Sequence, residues 1–327
     1  MTMDSEAFQT VADSARTTKA PARAVSIGVV FITHCAKQHL PNSLPPILAS
    51  PLKPRTLVVN SSSDDGTVDL AKEMGAEVLV VPRNEFNHGA TRELARRQIG
   101  TDIVVMMTPD AYAVSPEMLE RLVGPLRTGA AAASYARQIP HKGAGFFEAF
   151  PREYNYPAES HIRSLQDLPL YGPRLYLTSD TCMAWSNSVL DEIGGFPPAL
   201  VSEDAIVTAK LLKHGYRVAY VAEAIVHHSH RYTLLQEFRR YFDTGYGRRQ
   251  MKSLTFEQRE EAHGSKFARA MFTKLWDENP VLLPYAAAQI ISKYVGYKLG
   301  TFGHRLPVRL RRALSAQDFY WNSIWIQ

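Results

Sequence analysis

The stretch "IVVMMTPDAYAV", residues 103–114, decides how the chain is read. Ile103 to Met107 form an unbroken apolar run, as expected of a strand covered on both faces of a parallel sheet. Pro109 then ends any central strand, because it has no N–H for the ladder. Asp110 follows at once. In an open α/β sheet the ligand lies beyond the carboxyl ends of the strands. An acid just past such an end is a candidate ligand contact; a plain turn aspartate is the alternative reading.

Outward from this stretch the same grammar repeats. Residues 25–33 (VSIGVVFIT) are a β-branched run, and a helix is expected around 39–50. "RTLVVN", 55–60, is a second buried strand. "SSSDDGT" supplies turn and cap chemistry before a helix that Gly75 stops. "AEVLVVP" is a third strand, and "GATRELARRQIG", 89–100, a helix before the fourth strand. Strands alternating with helices predict an α/β fold with a doubly wound, mostly parallel sheet.

Beyond residue 114 a helix is expected over 115–127 and a strand over 130–140. Residues 143–173, aromatic and weakly periodic, read as a long loop over the site. "TSDTCMAWSNSVLDEIGGF" reads as a strand running into a short helix. "SEDAIVTAKLLKHGY" is a helix with an acidic start, "RVAYVAEAIVHHSH" a pair of strands, and "TLLQEFRRYFDTGYGRRQM" a basic amphipathic helix. The remainder is mostly helical, and no internal repeat is visible.

The bulk numbers bound the class. The chain has 327 residues, 45% hydrophobic and 21% charged, so a soluble chain with a substantial core is expected. A net charge of +5 favours anionic partners without choosing among them. Cys35 and Cys182 form neither a disulfide framework nor a CxxC pair, which points to a reducing cytosol. Residues 1–24 lack an apolar core, read as a disordered tail and carry no secretory signal. Residues 280–299 are the most apolar long window, but Pro284 and Lys293 interrupt it, so a helix buried or lying on a surface is expected rather than a membrane span.

Four marks stand in order: "VVNSSSDDGT" (58–67), "FNHGATRE" (86–93), "TPDA" (108–111) and "SEDA" (202–205), followed by "HSH" (228–230) and "RYFDTG" (240–245). Together they resemble glycosyltransferase family 2 with its A-type nucleotide-sugar fold, and its bacterial rhamnosyltransferase branch in particular, over about residues 25–325. The resemblance implies a nucleotide-binding half over 25–112, an acceptor half over 113–250 and a helical C-terminal extension over 251–327. It also implies contacts to a nucleotide-diphosphate sugar from Thr33, Asn60, Ser62, Asp65, Asn87, His88, Gly89, Arg92, Asp110 and Arg240.

Chemistry can be argued for each mark. Asn60 stands where the family often has Asp and keeps an acceptor for a base N–H. Ser63, Asp64 and Thr67 are read either as part of this contact or as helix caps alone. Gly89 permits close backbone approach, and the following helix N-terminus favours an anion. His88 can bond ribose or phosphate, and Arg92 can fork onto phosphate. Glu93 replaces the family's usual Asn and takes no role. Where the general family has Asp-x-Asp this chain has Thr108-Pro109-Asp110, the single acid of the rhamnosyltransferase branch.

Asp110 with His228 and His230 is the expected ligand set for Mg2+ or Mn2+. Asp204 is expected to take the proton of the acceptor hydroxyl, with Glu203 orienting or binding acceptor; an acidic helix cap is the alternative for both. Arg239, Arg240, Arg248 and Arg249 form a basic helix face, from which Arg240 is chosen as a phosphate contact. "RLPVRLRRAL", 305–314, reads as a solvated charge run or as a patch for an anionic membrane surface.

The reading implied is an inverting, metal-dependent transferase moving L-rhamnose from dTDP-L-rhamnose to a lipid-linked saccharide in O-antigen or exopolysaccharide synthesis. Its expected place is the cytoplasm, peripherally on the inner face of the membrane. The rivals are a nucleotide-sugar-binding scaffold without catalysis, a transferase using another donor such as a UDP-sugar, and a nucleic-acid binder suggested by charge alone. The last lacks any helix-turn-helix, zinc or stacking-platform signature, so no nucleic acid is expected.

Overall fold

A computed structural model describes residues 24–251 and 261–326. The expected tail over 1–24 lies, apart from Ala24, outside the described residues. The chain runs β1 (Ile27–Thr33), α1 (Leu40–Leu48), β2 (Arg55–Asn60), α2 (Thr67–Glu73), β3 (Glu77–Val80), α3 (His88–Ile99) and β4 (Ile103–Met107). It continues through β5 (Tyr112–Ala113), α4 (Met118–Arg127), β6 (Ala133–Ile139), α5 (Phe146–Asn155), β7 (His161–Arg163), α6 (Leu168–Tyr171), β8 (Cys182–Ser186), α7 (Asn187–Glu192), α8 (Glu203–Lys213) and β9 (Val218–His227). Four helices follow: α9 (Leu234–Met251), α10 (Glu261–Glu278), α11 (Leu283–Thr301) and α12 (Val308–Leu314).

The strands form one sheet in the order β3-β2-β1-β4-β8-β6-β9-β5, with β7 paired to β9. β3, β2, β1 and β4 are parallel, β8 is antiparallel to both β4 and β6, and β6 and β9 are parallel. The unbroken apolar runs have a direct cause. Along β1, Val30 and Ile32 face one core cluster while Val29 and Phe31 face the other. Val104 and Met106 of β4 likewise oppose Ile103, Val105 and Met107. Each strand is sandwiched, so no polar alternation survives. Helix α3 covers the first face with Ala95 and Ile99; α1 and α4 cover the second with Leu40, Leu44, Ile47, Leu119 and Leu122.

Two expectations are corrected. Residues 143–173 are no long loop: they hold α5, β7 and α6, with Phe146, Phe147 and Phe150 of α5 packed against Met271, Leu275 and Ala286 of the C-terminal helices. The expected strand pair over 217–230 is one strand, β9, whose register against β6 slips between Ala136 and Arg137. A bulge adds residues to one strand without reversing it. From Leu283 on, the apolar window 280–299 does form a helix, α11, packed along α9. Its Gly296 and Gly300 let the backbones meet, since a Cβ there would lie 2.3 Å from the Phe238 carbonyl and 2.1 Å from that of Phe242. No helix among the described residues is long and apolar enough to cross a membrane.

Candidate functional site

The carboxyl ends of β4, β6 and β9 converge and deliver four polar groups. Asp110 follows β4, Gln138 ends β6, and His228 and His230 follow β9. The Asp110 carboxylate lies 3.5 Å from His228 Nε2 and 3.2 Å from His230 Nε2. One ligand atom from each of the three falls within 4.8 Å of the others. The tautomer of His228 is determined by its neighbours. Arg152 Nη1 donates to Gln138 Oε1 at 2.8 Å, which orients that amide. His228 Nδ1 is 2.8 Å from the same oxygen and must therefore donate to it. Its Nε2 is left with a lone pair directed at Asp110.

Burial pushes the pKa of His228 down, with Asp110 only partly opposing it; burial and the His228 charge push His230 down to about 4. Burial alone would raise Asp110, but at the low pH where it titrates the protonated His228 donates to it and both imidazolium charges add, holding the carboxyl below its usual range. Two neutral imidazole nitrogens and a carboxylate oxygen facing one point form a donor set that suits a divalent cation, with Gln138 fixing the ring from behind. Tyr112 and His141 border the trio: the Tyr112 hydroxyl is 2.7 Å from His39 Nδ1, and its ring centroid is 4.9 Å from that of His141.

The second cluster is built around Arg92. Its Nε lies 3.0 Å from Asp180 Oδ2 and its Nη1 2.7 Å from Glu203 Oε1, the three side chains being only 5%, 3% and 8% exposed. Arg92 was expected to reach a phosphate; instead its guanidinium is enclosed by these carboxylates and by the His88 carbonyl, 3.1 Å away. Asp204 completes the group by accepting from the Asp180 N–H at 3.3 Å and the Ala205 N–H at 2.7 Å. Asp180 also accepts from Trp185 Nε1 at 2.8 Å.

Two carboxylates thus hold one guanidinium, and Asp204 lies beside them within reach of its charge. Burial, then the Glu203 charge, raises Asp204 from 3.8 to about 6. Burial and the neighbouring acids raise Asp180 as well, while Arg92 and His88 outweigh burial at Glu203 and lower it. The pattern separates roles: Glu203 stays ionised as the partner of Arg92, and Asp204 is poised near neutrality. Ser202, just before the pair, has φ +65°, a left-handed conformation costly for a residue with a Cβ. This strain aims the start of α8. The two clusters lie on the same sheet edge: the Thr108 N–H donates to the Thr181 carbonyl at 3.2 Å, joining the Asp110 turn to the segment that holds Asp180.

The remaining residues expected at the donor also brace their own loops. Asn60 Oδ1 accepts from the Ser63 N–H at 2.8 Å, and its Nδ2 donates to Ser63 Oγ at 2.8 Å and Thr33 Oγ1 at 3.3 Å. Ser62 donates to the Val81 carbonyl. Asp65 accepts from Ser63, Thr67 and the Lys37 N–H, which outweigh burial and depress its pKa. Asn87 is the cap of α3: its Oδ1 accepts from Gly89 and Ala90, and from Ala199 across the fold, each at 3.1 Å. Gly89 is needed for protein packing, since a Cβ there would sit 1.9 Å from the Pro197 carbonyl oxygen. Glu93 accepts from Arg96, Arg97 and the Phe196 N–H, which explains a carboxylate there.

Sequence reasoning missed a C-terminal strap. Asp243 of α9 accepts from Ser315 Oγ at 2.6 Å and the Ala316 N–H at 2.8 Å. The strap then lays Gln317 Oε1 3.4 Å from His88 Nε2 and Phe319 against Phe86, and Trp325 Nε1 donates to the Glu85 carbonyl at 2.7 Å. Arg240 lies close enough to His230 for its charge to help lower that imidazole. Its guanidinium stacks 4.1 Å from the Tyr232 ring and faces a cavity bounded by α9, α12 and the strap. Also missed were Asp180, Gln138 and Tyr112. For Asp180 one signal existed, an acid directly before the buried run "TCMAWS".

The profile described as "Glycosyltransferase like family 2" matches residues 29–247. The O-antigen chain rhamnosyltransferase RfbN of Salmonella typhimurium is 33% identical over 308 residues, 92% of this chain and 97% of that protein. The O-antigen chain rhamnosyltransferase WbaN of Salmonella anatum is 34% identical over 274 residues, 82% of this chain and 86% of that protein. Among solved structures, the mannosyltransferase PcManGT of Pyrobaculum calidifontis, in complex with GDP-Man and Mn2+, superposes with a TM-score of 0.54 at 17% identity, covering 93% of this chain and 88% of that one. TarS 1-349 of S. aureus, in complex with UDP-GlcNAc, gives 0.53 at 16% identity, covering 90% and 89%. At these identities the solved structures speak for the fold.

Proposed function

Since the chain belongs to glycosyltransferase family 2, on its rhamnosyltransferase-like side, we infer that it is an inverting transferase using Asp204 as base. The donor is a nucleotide-diphosphate sugar, dTDP-L-rhamnose by kinship with RfbN and WbaN. The acceptor is a lipid-linked saccharide of cell-surface polysaccharide synthesis. One observation carries the reading: a carboxyl raised to about 6 shares a sheet edge with a carboxylate–imidazole trio.

Asp204 takes the proton of an acceptor hydroxyl as its oxygen attacks the anomeric carbon. The bond from that carbon to the diphosphate oxygen breaks on the opposite face, and the nucleoside diphosphate leaves with the electron pair. Glu203, held by Arg92, keeps a fixed negative charge beside Asp204 and so maintains its basicity. A divalent cation held by Asp110, His228 and His230 would supply neutralisation of the leaving diphosphate. The protein acts in the cytoplasm, with the exposed Val308, Arg309, Leu310 and Arg312 of α12 meeting the inner membrane face.

The test is a thermal-shift series over dTDP-, UDP- and GDP-sugars with and without Mn2+, since a ligand of the native state raises apparent stability by mass action. dTDP-L-rhamnose with Mn2+ is expected to give the largest shift. No shift with any nucleotide sugar would end the reading, and a larger shift with UDP- or GDP-sugars would replace the donor.

A further inference from the structure

The cavity between α9, α12 and the strap has a volume of about 730 Å³, within the usual range for a small-molecule site. Arg239 and Arg240 line it from α9, and Arg309 and Arg312 from α12, against one carboxylate, Asp318. Like charges gathered so closely repel unless an anion joins them. Arg240 has a partner in Glu237, 3.7 Å away, but no carboxylate pairs with Arg239, Arg309 or Arg312 among the described residues, and Arg239 Nε is buried without a hydrogen-bond partner. The neighbouring Arg311 shows the contrast. It spends its guanidinium on the Leu306 and His304 carbonyls and on Tyr246, which anchors α12; Arg312 gives one bond, Nη1 to Asn322 Oδ1 at 3.2 Å, and with Arg309 lines the cavity.

The surroundings narrow the anion. The cavity lies one aromatic ring from the metal-suited trio: the Tyr232 ring is 5.1 Å from His230, with Arg240 on it at 4.1 Å. On another side Ser315, Ala316 and Asp318 line it, while Gln317 between them turns to His88 beside the acid cluster. The cavity therefore adjoins both clusters and belongs to neither. Its α12 wall carries exposed apolar residues as well: Val308 and Leu310, 41% and 43% exposed, flank Arg309. A cationic pocket rimmed by apolar side chains suits an anion attached to a hydrocarbon.

We propose that Arg239, Arg240, Arg309 and Arg312 form a binding pocket for the diphosphate of a polyprenyl-type acceptor lipid, separate from the place where the donor diphosphate is held. The proposal rests on the transferase reading for the word acceptor; the pocket's chemistry stands without it. The hydrocarbon leaves along Val308 and Leu310, and the saccharide extends past Tyr232 towards Asp204.

The probe is geranylgeranyl diphosphate in detergent micelles, titrated calorimetrically, with inorganic diphosphate and dTDP plus Mn2+ as the other arms. The unaltered protein is expected to bind the prenyl diphosphate more tightly than inorganic diphosphate. The double variant Arg309→Ala/Arg312→Ala weakens that binding at least ten-fold and changes dTDP binding by less than two-fold. Ala313→Glu, which removes nothing and sets a carboxylate into the cavity wall, has the same effect and covers the case in which the double variant misfolds.

Prenyl diphosphate binding that neither variant weakens overturns the proposal. So does equal weakening of dTDP, which would give the pocket to the donor, and so does binding no tighter than inorganic diphosphate. If the unaltered protein ignores dTDP with Mn2+ yet binds the prenyl diphosphate through these arginines, the transferase reading falls and the pocket stands.

Discussion

Replacing Asp204 by Asn should separate catalysis from stability in opposite directions. The carboxyl is half-buried beside Glu203 and raised from 3.8 to about 6. A group whose folded pKa exceeds its unfolded value favours folding while protonated, and that advantage is lost as pH rises through the folded value. At pH 7 Asp204 therefore opposes folding. The shift corresponds to at most about 3 kcal/mol, less what solvent screening removes. Asn keeps the shape and an acceptor for the Ala205 N–H without the charge, so Asp204→Asn should melt a few degrees higher than the parent above pH 6, the gap narrowing as pH falls and closing below about pH 3.

Activity should move the other way. Losing a general base costs about 10²- to 10⁴-fold, or about 3–5 kcal/mol in the barrier. In the parent, kcat/KM should follow ionisation of this carboxyl. With a pKa of about 6 it is about nine-tenths ionised at pH 7 and about one-tenth at pH 5, a nearly ten-fold fall in rate. The assay is nucleoside diphosphate release from dTDP-L-rhamnose against acceptor between pH 5 and 8.5, beside melting curves in the same buffers. An Asp204→Asn enzyme within ten-fold of the parent, or one that keeps an acid limb near pH 6, would refute the assignment.

Three further outcomes are expected. Asp110→Ala should abolish the Mn2+-dependent part of the nucleotide thermal shift, and an unchanged shift would remove this trio from metal binding. Gln138→Leu, which takes away the acceptor that orients His228, should weaken Mn2+ by about 10- to 100-fold in a titration while the fold by circular dichroism stays intact; an unchanged titration would show that the Gln138 bond is incidental. Gly89→Ala forces a Cβ to within 1.9 Å of the Pro197 oxygen, so urea unfolding should lose about 1–3 kcal/mol, and no loss would mean that the 197–200 segment yields freely.

The sheet was legible because its strands are covered on both sides. Val29–Ile32 and Ile103–Met107 show unbroken apolar runs, and helices opened by Asn87 or stopped by Gly100 announce their ends. Residues 143–173 were not legible as structure, since α5 carries Pro151 inside it and buries its aromatics against helices that lie much later in the chain. The acids of the site could be found from strand ends and helix starts. The partner of Arg92 could not, because Asp180 precedes β8 and β8 runs antiparallel; only strand direction places that segment on the reactive edge. The role expected for Arg92 followed from what a guanidinium can do in general, whereas two buried carboxylates decide what this one does. The strap, "SAQDFYWNSIWIQ", has no period to read, and its meaning lies in distant contacts.

Those contacts have a consequence in time. Gln317 meets His88 across 229 positions, and Trp325 meets Glu85 across 240. Closing loops of that length costs about 5 kcal/mol of chain entropy, which weighs against their forming early. During synthesis, a nascent chain that has emerged through β9 already has every strand of the sheet, yet the lid over His88 is still unmade. Such an intermediate would have its sheet complete while the cover over His88 still waits on the C-terminal segment.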